Sequence, residues 1–590
     1  MKINRIFRRV SILVIATRVM TTYFKELKRT GKHCYKALDN TSEVALISQH
    51  PKLEELPYCL ICFCSLFPPN NEFHRDTLIR LWVAQGFFDP KLGRKMEAVA
   101  NEHFEDMFKK KFIVQSRFDI GMGVTRRMKY KVDNIIVPTS SYLWVQEAEL
   151  SSTDREVQHL LLLSKNFDEA TFKTLKSFRR LRTLILFCQN GDSIKRVPYD
   201  LFLKLQHLRT LDLHATEISE LPGYICYLSS LHYLDVSETQ ISYLPESIGS
   251  LCHLQTLKLE RCLNFYSLPD CTSKLINLRH LDLDILGQLT RMPVGMGNLT
   301  SLQTLKGFIL GKGKGYDARE LKHLTDVCGS FCISRLENIS SVEQAREVDM
   351  SNKKHINKLE LQWQRRQDDL ALLDEIFECL QPHSSLEELQ ISFYEGSRFP
   401  TWMSNSYFSN IVSITLFECK SSSYLPSLGG LPSLKYLFLF YMYGVRSIDH
   451  HFCRYEGSQI GAAFPKLEKL TINGMPELEK WTGVENGDFP CLLRLSVLCC
   501  PKLIAVPMLS FPNSLKVLEI SDCDELQSFP EVKLSSKLES LYIANCPLVK
   551  NRFLKTQGYL LQSQNSLCSC SCSNYPISPY HSWHCCLLSS

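Results

Sequence analysis

The motif L-x-x-L-x-L recurs between residues 181 and 543, and this recurrence constrains the fold more than any other feature of the chain. Fourteen copies are present, among them LRTLDL (208–213), LQTLKL (254–259), LKYLFL (434–439) and LKVLEI (515–520). The central leucines mostly follow one another at steps of 23–25 residues, as in the series Leu211, Leu234, Leu257, Leu281 and Leu305. An internal period of this length indicates a stack of similar supersecondary units.

Each copy spaces its leucines at i, i+3 and i+5, which does not place them on one face of an α-helix. Leu-Pro pairs also stand between the copies, where they would break a helix: Leu221-Pro222, Leu244-Pro245, Leu268-Pro269 and Leu425-Pro426. A short strand with a return segment cannot bury its own leucines, so neighbouring units must stack. The pattern predicts an α/β leucine-rich-repeat solenoid over residues 151–550, with about fifteen repeats.

A subset of the 24 cysteines occupies one position of this repeat. The members lie three residues after the last apolar residue of a strand motif: Cys262, Cys419, Cys500, Cys523 and Cys546. In such repeats this position points inward and pairs with backbone groups of the turn. Buried, reduced thiols repeated along a core favour a cytoplasmic protein over a secreted one that is held together by disulfides.

Alternate residues of each strand project from the concave side of the predicted solenoid, where nothing requires them to be apolar. These positions are acidic in the first repeats and aromatic near residues 436–444, which favours a protein partner on this face. A second interpretation is that the insertion near residues 445–463 covers the rings. The candidate partner-binding residues are Asp212, His214, Asp235, Lys258, Glu260, Asp282, Phe438, Phe440 and Tyr542.

The segment before the repeats contains two helix-like stretches separated by the turn sequence PPNNE (68–72). On the second stretch, LIRLWVAQGFF (78–88), Asp76 suits the first turn of the helix and Gly86 suits its end. Two helices around a turn are compatible with DNA binding. Residues 44–110 carry eight Lys/Arg and nine Asp/Glu, however, and a module that reads a DNA groove needs an excess of cations at the phosphates.

The net charge of +6 is concentrated in the first 50 residues, which carry ten Lys/Arg and three Asp/Glu. The rest of the chain is therefore close to neutral, unlike a nucleic-acid-binding surface. Residues 1–36 have two interpretations, a poorly ordered remnant of a larger domain or a site for acidic lipids. No apolar run reaches the length of about 18–20 residues that a membrane span needs. In the Cys/Ser-rich tail, CSCSC (568–572) with His581 and His584 fits no usual zinc spacing, so the tail is expected to be disordered and metal-free.

Several segments resemble one family. CSLFPPNNEFHRDTLIRLWVAQGFF (64–88) and ANEHFEDMFKKKFIVQ (100–115) resemble the winged-helix segment of plant nucleotide-binding leucine-rich-repeat (NB-ARC–LRR) disease-resistance proteins of the coiled-coil class. LENISSVEQAREVDMSNKKHINKLELQW (336–363) is similar to an interrupted repeat of the same proteins, and SILVIATR (11–18) is similar to their strand ending in Thr17-Arg18. The resemblance covers residues 45–550 and implies a winged-helix lever that couples a nucleotide switch to a sensing solenoid.

Other features depart from the family. The phosphate loop G-x-x-x-x-G-K-[ST] does not occur in the sequence, and this loop supplies the amides, the lysine and the metal-binding hydroxyl that hold a triphosphate. Where the family carries Met-His-Asp, the chain has Val132, Asp133 and Asn134, and an aspartate in place of the histidine would repel a phosphate. The chain is therefore expected to be N-terminally truncated within its nucleotide-binding module and to bind neither ADP nor ATP.

The resemblance implies an intracellular plant defence receptor-like protein, not an enzyme, that recognises a pathogen effector or a guarded host protein. Its expected domains are a basic remnant (1–43), a small, mostly α winged-helix domain (44–150), the solenoid (151–550) and a disordered tail (551–590). A non-functional fragment, or a decoy that acts on a full-length relative, stays open. So does an F-box-like adaptor of a ubiquitin ligase, because LEELPYCLICFCSLF (53–67) resembles the start of an F-box.

Overall fold

The computed structural model describes residues 57–68, 71–89, 94–119, 127–132, 141–146, 150, 156–164, 168–188, 194–284, 287–364, 370–454, 461–507, 514–527 and 538–548. The chain forms two compact units. Among the described residues, the first unit comprises those up to Leu289 and the second comprises those from Thr290 onward.

The first unit begins with three helices and a small antiparallel sheet. The helices are α1 (Tyr58–Cys64), α2 (Arg75–Gln85) and α3 (Met96–Lys109), and the strands β1 (Phe73–His74), β2 (Ile113–Asp119) and β3 (Arg127–Val132) pair in the order β1-β3-β2. The apolar segment of α1 and the Trp82 face of α2 pack into one core with Phe104 of α3. Three helices followed by a β2–β3 hairpin form a winged-helix domain, as the sequence predicts.

Seven parallel strands complete the first unit: β4 (Tyr142–Gln146), β5 (His159–Ser164), β6 (Thr183–Cys188), β7 (Thr210–Asp212), β8 (Tyr233–Asp235), β9 (Thr256–Leu259) and β10 (His280–Leu283). Each strand pairs with its neighbours in the chain. The return segments include α4 (Glu169–Leu175), α5 (Tyr199–Lys204) and short 3-10 helices at Gly223–Tyr227, Glu246–Ser250 and Asp270–Lys274. Strand-by-strand parallel pairing with short return segments is the leucine-rich-repeat arrangement that the leucine period predicts.

The second unit contains β11 (Thr304–Leu305) and a ten-stranded sheet that pairs in the order β12-β13-β14-β15-β16-β17-β19-β21-β22-β23. Its strands are β12 (Gly307–Ile309), β13 (Gly329–Ser334), β14 (Ile356–Gln362), β15 (Glu388–Ser392), β16 (Ser413–Phe417), β17 (Tyr436–Phe440), β19 (Lys469–Asn473), β21 (Arg494–Leu498), β22 (Val517–Ser521) and β23 (Ser540–Ala544). β18 (Ser447–Ile448) and β20 (Lys480–Trp481) pair separately. The return segments include α6 (Val342–Glu347), α7 (Leu370–Cys379) and α8 (His450–Cys453), with 3-10 helices at Met296–Asn298, Ala318–Leu321, Leu336–Asn338, Met350–Asn352 and Thr401–Ser404.

The leucines of the repeat motif form the core, since Leu211, Leu234, Leu257 and Leu281 are fully buried. The inward cysteines are buried as predicted, and their thiols lie within bonding distance of backbone carbonyls; Cys523 Sγ, for example, is 3.3 Å from the Ser521 oxygen. In two earlier repeats a threonine hydroxyl donates from the same position, from Thr216 to Leu213 and from Thr239 to Val236, each at 2.7 Å. This position therefore selects for a small hydrogen-bond donor rather than for cysteine itself.

The residue before each of these inward side chains adopts the left-handed backbone conformation, with φ between 49° and 57°. The set comprises Ala215, Glu238, Arg261, Glu418, Cys499, Asp522 and Asn545. Non-glycine residues rarely adopt this conformation, so its repetition at one position indicates a turn that the strand pairing on either side imposes. The leucine pattern alone does not reveal this backbone constraint.

Candidate functional site

Helix α2 of the winged-helix domain packs against strands β7 and β8 of the parallel sheet, within the first unit. Its Arg80 side chain forms an ion pair with Asp282 of β10, and both side chains are buried. Burial by itself would lower the pKa of the guanidinium, but Asp282 and Asp76 outweigh it and keep the pKa above its ordinary value. The arginine is therefore charged and held by a strand that lies 202 residues further along the chain.

The end of α2 makes two further contacts with the sheet. Gln85 Nε2 donates to Thr210 Oγ1 at 2.8 Å, and Arg209 Nη1 donates to the Gln85 carbonyl at 2.6 Å. Gly86 ends the helix in the left-handed conformation at φ 74°. A cation at the carboxyl end of a helix is favourable because the last carbonyls carry partial negative charge. The helix is thus held by its terminus as well as by its side chains.

Helix α3 makes a third polar contact through its first turn. Glu97 Oε1 accepts from Arg279 Nη1 at 2.9 Å and lies 3.5 Å from His280 Nε2. Burial acts to raise the pKa of Glu97, but His280 and Arg279 outweigh it and lower that pKa to about 2. Burial and Arg80 lower the pKa of His280. This corner of the interface therefore holds a carboxylate at neutral pH.

A row of charged residues crosses the sheet at the interface. Asp212, Asp235, Lys258 and Asp282 occupy equivalent positions on β7 to β10, each in register with the next. Lys258 Nζ donates to Asp235 Oδ2 at 2.6 Å. Burial acts to raise the pKa of Asp235, but the attraction of Lys258 outweighs that effect and lowers this pKa to about 2. Burial and the neighbouring Asp235 raise the pKa of Asp212 to about 6. With Arg80 added, two cations and three carboxyl groups meet across the row.

An apolar layer surrounds these charges. Phe63 of α1 contacts the His159 ring of β5 with centroids 5.8 Å apart, and Tyr142 stacks on the same imidazole at 4.3 Å. Leu161, Ile185 and Tyr233 of the sheet belong to the same buried cluster as the winged-helix core. A continuous apolar core across both elements makes the contact a packed interface rather than a surface encounter.

The structure therefore divides the residues that the sequence nominates for partner binding. Asp235, Lys258 and Asp282 are buried under the chain's own winged-helix domain. Asp212, His214 and Glu260 are partly exposed, and the His214 amide donates to Asp212 Oδ1 at 2.9 Å. In this arrangement the buried members present no surface to a second protein.

The aromatic candidates lie on the sheet of the second unit. Phe438 and Phe440 stack with ring centroids 6.0 Å apart, and Phe417 contacts both Phe393 (5.5 Å) and Tyr441 (5.6 Å). We call these five rings, all partly exposed, the aromatic cluster. Lys469 Nζ lies 5.3 Å from the centre of the Phe438 ring. Tyr542 on β23 is also exposed, at 44%.

Several other predictions fall on residues outside the described ranges. These are Thr17, Arg18, Asp133, Asn134 and the Cys/Ser-rich tail, whereas Val132 is the buried last residue of β3. Within the described ranges, no helix is long and apolar enough to cross a membrane. The same ranges contain no group of three or more His, Cys, Asp or Glu side chains placed to hold a metal ion.

Sequence reasoning did not identify the residues that join the two elements of the first unit. The sequence patterns assign no contact to Arg80, Glu97, Arg209 or Arg279, because each of these residues lies more than 100 positions from its partner in the chain. One available signal was the positive charge of Arg80, which interrupts the apolar stretch 78–84 of α2, together with the negative charge of the acidic residues in the first repeats. Charge complementarity between distant segments identifies a pair only after the fold brings them together.

The fold and the interface define a class of protein, a leucine-rich-repeat solenoid preceded by a winged-helix domain. Two family models agree with this division. "Disease resistance protein Winged helix domain" matches residues 66–136, and "R13L1/DRL21 LRRs" matches residues 318–442. The match at 66–136 favours the winged helix over the F-box alternative.

Curated relatives narrow the class further. Disease resistance RPP13-like protein 1 of Arabidopsis thaliana is 32% identical over 523 residues, which are 80% of this chain and 46% of that protein. Disease resistance protein RGA2 of Solanum bulbocastanum is 30% identical over 85% of this chain and 50% of its own length. The chain is similar to plant disease resistance proteins over most of its own length, and it spans about half the length of these two relatives.

Two solved structures also align with the chain, at lower sequence identity. A leucine-rich-repeat protein of Leptospira interrogans aligns with 68% of this chain and 89% of its own, at 20% identity and a TM-score of 0.42. A plant peptide hormone receptor aligns with 70% of this chain and 77% of its own, at 18% identity and a TM-score of 0.36.

Proposed function

We propose that this chain is a plant defence receptor whose aromatic cluster binds a protein, either a pathogen effector or a guarded host protein. The observation that carries the proposal is the partial exposure of five neighbouring rings, three on strands of the parallel sheet and two directly after a strand end. Aromatic side chains concentrate binding energy at protein interfaces, because they bury a large area with little loss of side-chain freedom. The disease-resistance relatives support a role in defence.

Proximity labelling in plant tissue tests the aromatic cluster. The full chain would be compared with a Phe438→Ala/Phe440→Ser variant and with a Tyr424→Ala control, in which an equally large ring is removed outside the cluster at a position 62% exposed. We expect a set of labelled proteins to disappear with the double variant and to persist with the control. Identical labelling by all three proteins would contradict the proposal.

A second part of the proposal concerns nucleotide. We propose that this chain binds neither ADP nor ATP, a view supported by the sequence, which lacks G-x-x-x-x-G-K-[ST] and carries Asp133 where the family has histidine. The test is a titration of the purified chain with labelled ADP and ATP. We expect no binding up to high micromolar concentration, and saturable binding would contradict it.

The proposal has three further parts, which concern enzymatic activity, DNA binding and cellular location. We propose that the protein is not an enzyme, because no nucleophile and base stand together in a catalytic motif of the sequence. DNA reading is disfavoured, since the eight consecutive residues Leu78–Gln85 of α2 are buried and leave no face for a groove. A cytoplasmic location is favoured by the repeated buried thiols, which a reducing compartment preserves.

A further inference from the structure

A lysine lies beside the aromatic cluster, on the strand next to β17. Lys469 is the first residue of β19, and its ammonium lies 5.3 Å from the centre of the Phe438 ring. Lys469 and Thr471 alternate along β19 with the core residue Leu470, so they share one side of the sheet. That side also carries Phe438, which pairs in register with Thr471. A positive charge, a hydroxyl and an aromatic ring therefore meet at one place on the sheet.

The positive charge of Lys469 is not neutralised by a neighbouring carboxylate. Among the residues that the structure describes, no carboxylate forms an ion pair with its ammonium. Burial, followed by the charge of Arg494, lowers the pKa of this ammonium, and Glu519 has only a smaller opposite effect. A partly buried ammonium is less well solvated than an exposed one, so it attracts an approaching carboxylate more strongly than a fully exposed lysine would.

Glu519 does not compensate this charge, because it is already engaged elsewhere. Its Oε2 atom accepts from Ser496 Oγ at 2.6 Å, and its Oε1 atom lies 3.4 Å from Arg494 Nη1. Glu519 stands on β22 and Lys469 on β19, with β21 between them. Adjacent strands are about 4.8 Å apart, so about 10 Å separates the backbones of these two strands. Arg494 and Glu519 form a pair of their own, which leaves the charge of Lys469 uncompensated.

A buried hydroxyl next to the lysine has no hydrogen bond. Thr471 is 7% exposed, and its Oγ1 atom has no hydrogen-bond partner in the described part of the chain. Buried side-chain oxygens usually form a hydrogen bond, because burial without one is unfavourable. Lys469 is the preceding residue on the same side of β19. When its flexible side chain turns towards a bound acceptor, the Thr471 hydroxyl can donate to the same acceptor.

We infer that the aromatic cluster binds a protein segment in which an aspartate or glutamate lies next to an aromatic or branched aliphatic residue. The inference rests on the proposed function and names the chemistry of its partner. The carboxylate pairs with the Lys469 ammonium and accepts from the Thr471 hydroxyl. The apolar neighbour packs on Phe438 and Phe440. A nucleic acid would need several cations along its phosphates, whereas a single lysine matches one carboxylate.

Phage display of random peptides against the full purified chain tests the inference. We expect the enriched peptides to carry an acidic residue beside an aromatic or branched aliphatic one. A synthetic copy of the most enriched peptide should bind Lys469→Met about tenfold more weakly than the unaltered chain, because a charge-assisted hydrogen bond is lost. The matched control is Lys435→Met, since Lys435 directly precedes β17 and already pairs with Glu468 at 3.0 Å. We expect this control to bind as tightly as the unaltered chain.

A double-mutant cycle tests whether the lysine meets the acidic residue of the peptide. Replacing that residue by its amide should weaken binding to the unaltered chain about tenfold and should have little further effect on Lys469→Met. Thr471→Val removes the hydroxyl with little change in volume, and it should weaken binding of the acidic peptide by a smaller factor. Because that hydroxyl has no hydrogen bond, the valine variant should unfold at the same temperature as the unaltered chain or higher. Weaker binding would then not result from misfolding.

Three results would overturn the inference: no enriched peptide, enriched peptides without an acidic residue, or acidic peptides that bind Lys469→Met as tightly as the unaltered chain. The Phe438→Ala/Phe440→Ser variant separates this failure from a failure of the proposed function. Peptides that bind Lys469→Met but not the double variant reject the role of the lysine and keep the aromatic cluster as a binding surface. Peptides that bind both variants reject the cluster itself.

Discussion

The Arg80 guanidinium on α2 and the Asp282 carboxylate on β10 form an ion pair in which each side chain is less than a tenth exposed. The pair connects the winged-helix domain to the fourth strand of a row that begins with Asp212 on β7. Removing one partner of a buried pair leaves the other charge without compensation, whereas replacing both by apolar residues is often neutral. A single substitution in this pair is therefore expected to have a measurable effect on the stability of the interface.

Arg80→Ala is expected to weaken the docking of α2 by about 3 kcal/mol, because Asp282 is left buried without its partner. Hydrogen exchange of the amides of residues 75–85 should therefore become about 100-fold faster. The control is Arg94→Ala, which removes an exposed pair with Glu102 and should leave these exchange rates unchanged. Unchanged exchange in the Arg80 variant would show that the pair does not hold the helix.

Gly86→Ala should destabilise the end of α2 by about 1 kcal/mol, because a side chain disfavours the left-handed conformation there. The added Cβ would also lie 3.1 Å from Arg209 Nη1, which donates to the Gln85 carbonyl. Gly223→Ala is the matched control, since that glycine has no positive φ and its Cβ would meet only ordinary contacts. The measurement is urea-induced unfolding followed by tryptophan fluorescence, to which Trp82 in the same helix contributes together with the other five tryptophans. Equal effects of the two substitutions would contradict this account.

His159 should make the first unit sensitive to mild acid. Burial, followed by Arg182 and Arg209, lowers the pKa of this imidazole from 6.5 to about 3. The unfolded chain therefore binds a proton below pH 6.5 that the folded chain refuses, and stability falls as the pH falls from 6.5 towards 3. The free energy of unfolding of the His159→Gln variant should depend less steeply on pH between 7 and 5 than that of the unaltered chain. Both proteins carry the same other titrating groups, so the contributions of those groups cancel in the comparison. Equal slopes of unfolding free energy against pH would contradict this role of His159.

The inward position of the repeats should accept threonine in place of cysteine. Cys523→Thr keeps a donor for the turn carbonyls, as Thr216 and Thr239 do in earlier repeats. Cys523→Val has a similar volume but no donor, and should cost about 1 kcal/mol more than the threonine variant. Thermal unfolding of the two variants measures the difference. A valine variant as stable as the threonine variant would show that packing, not hydrogen bonding, selects the residue at this position.

The strands and the core were predictable from the sequence because the period of the leucines is a local property. Leu211 and Leu234 are 23 residues apart in the chain and pair directly in the sheet, so one repeat predicts the next. The inward thiols and the two helices on either side of PPNNE followed from similar short-range patterns. The left-handed residues at the ends of the strands did not, because Ala215, Glu238 and Asn545 share no side-chain chemistry that signals this conformation.

Strand alternation and the leucine period are local properties, so they reveal which residues face inward and which project from the sheet. Whether a projecting residue is accessible depends instead on the tertiary packing. Asp235 and Phe438 occupy comparable outward positions on their strands, yet the first lies under the winged-helix domain and the second is partly exposed. The alternation of side chains along a strand defines the face on which a residue lies. The segment that covers that face, here helix α2, is distant in the chain, so local patterns do not reveal it.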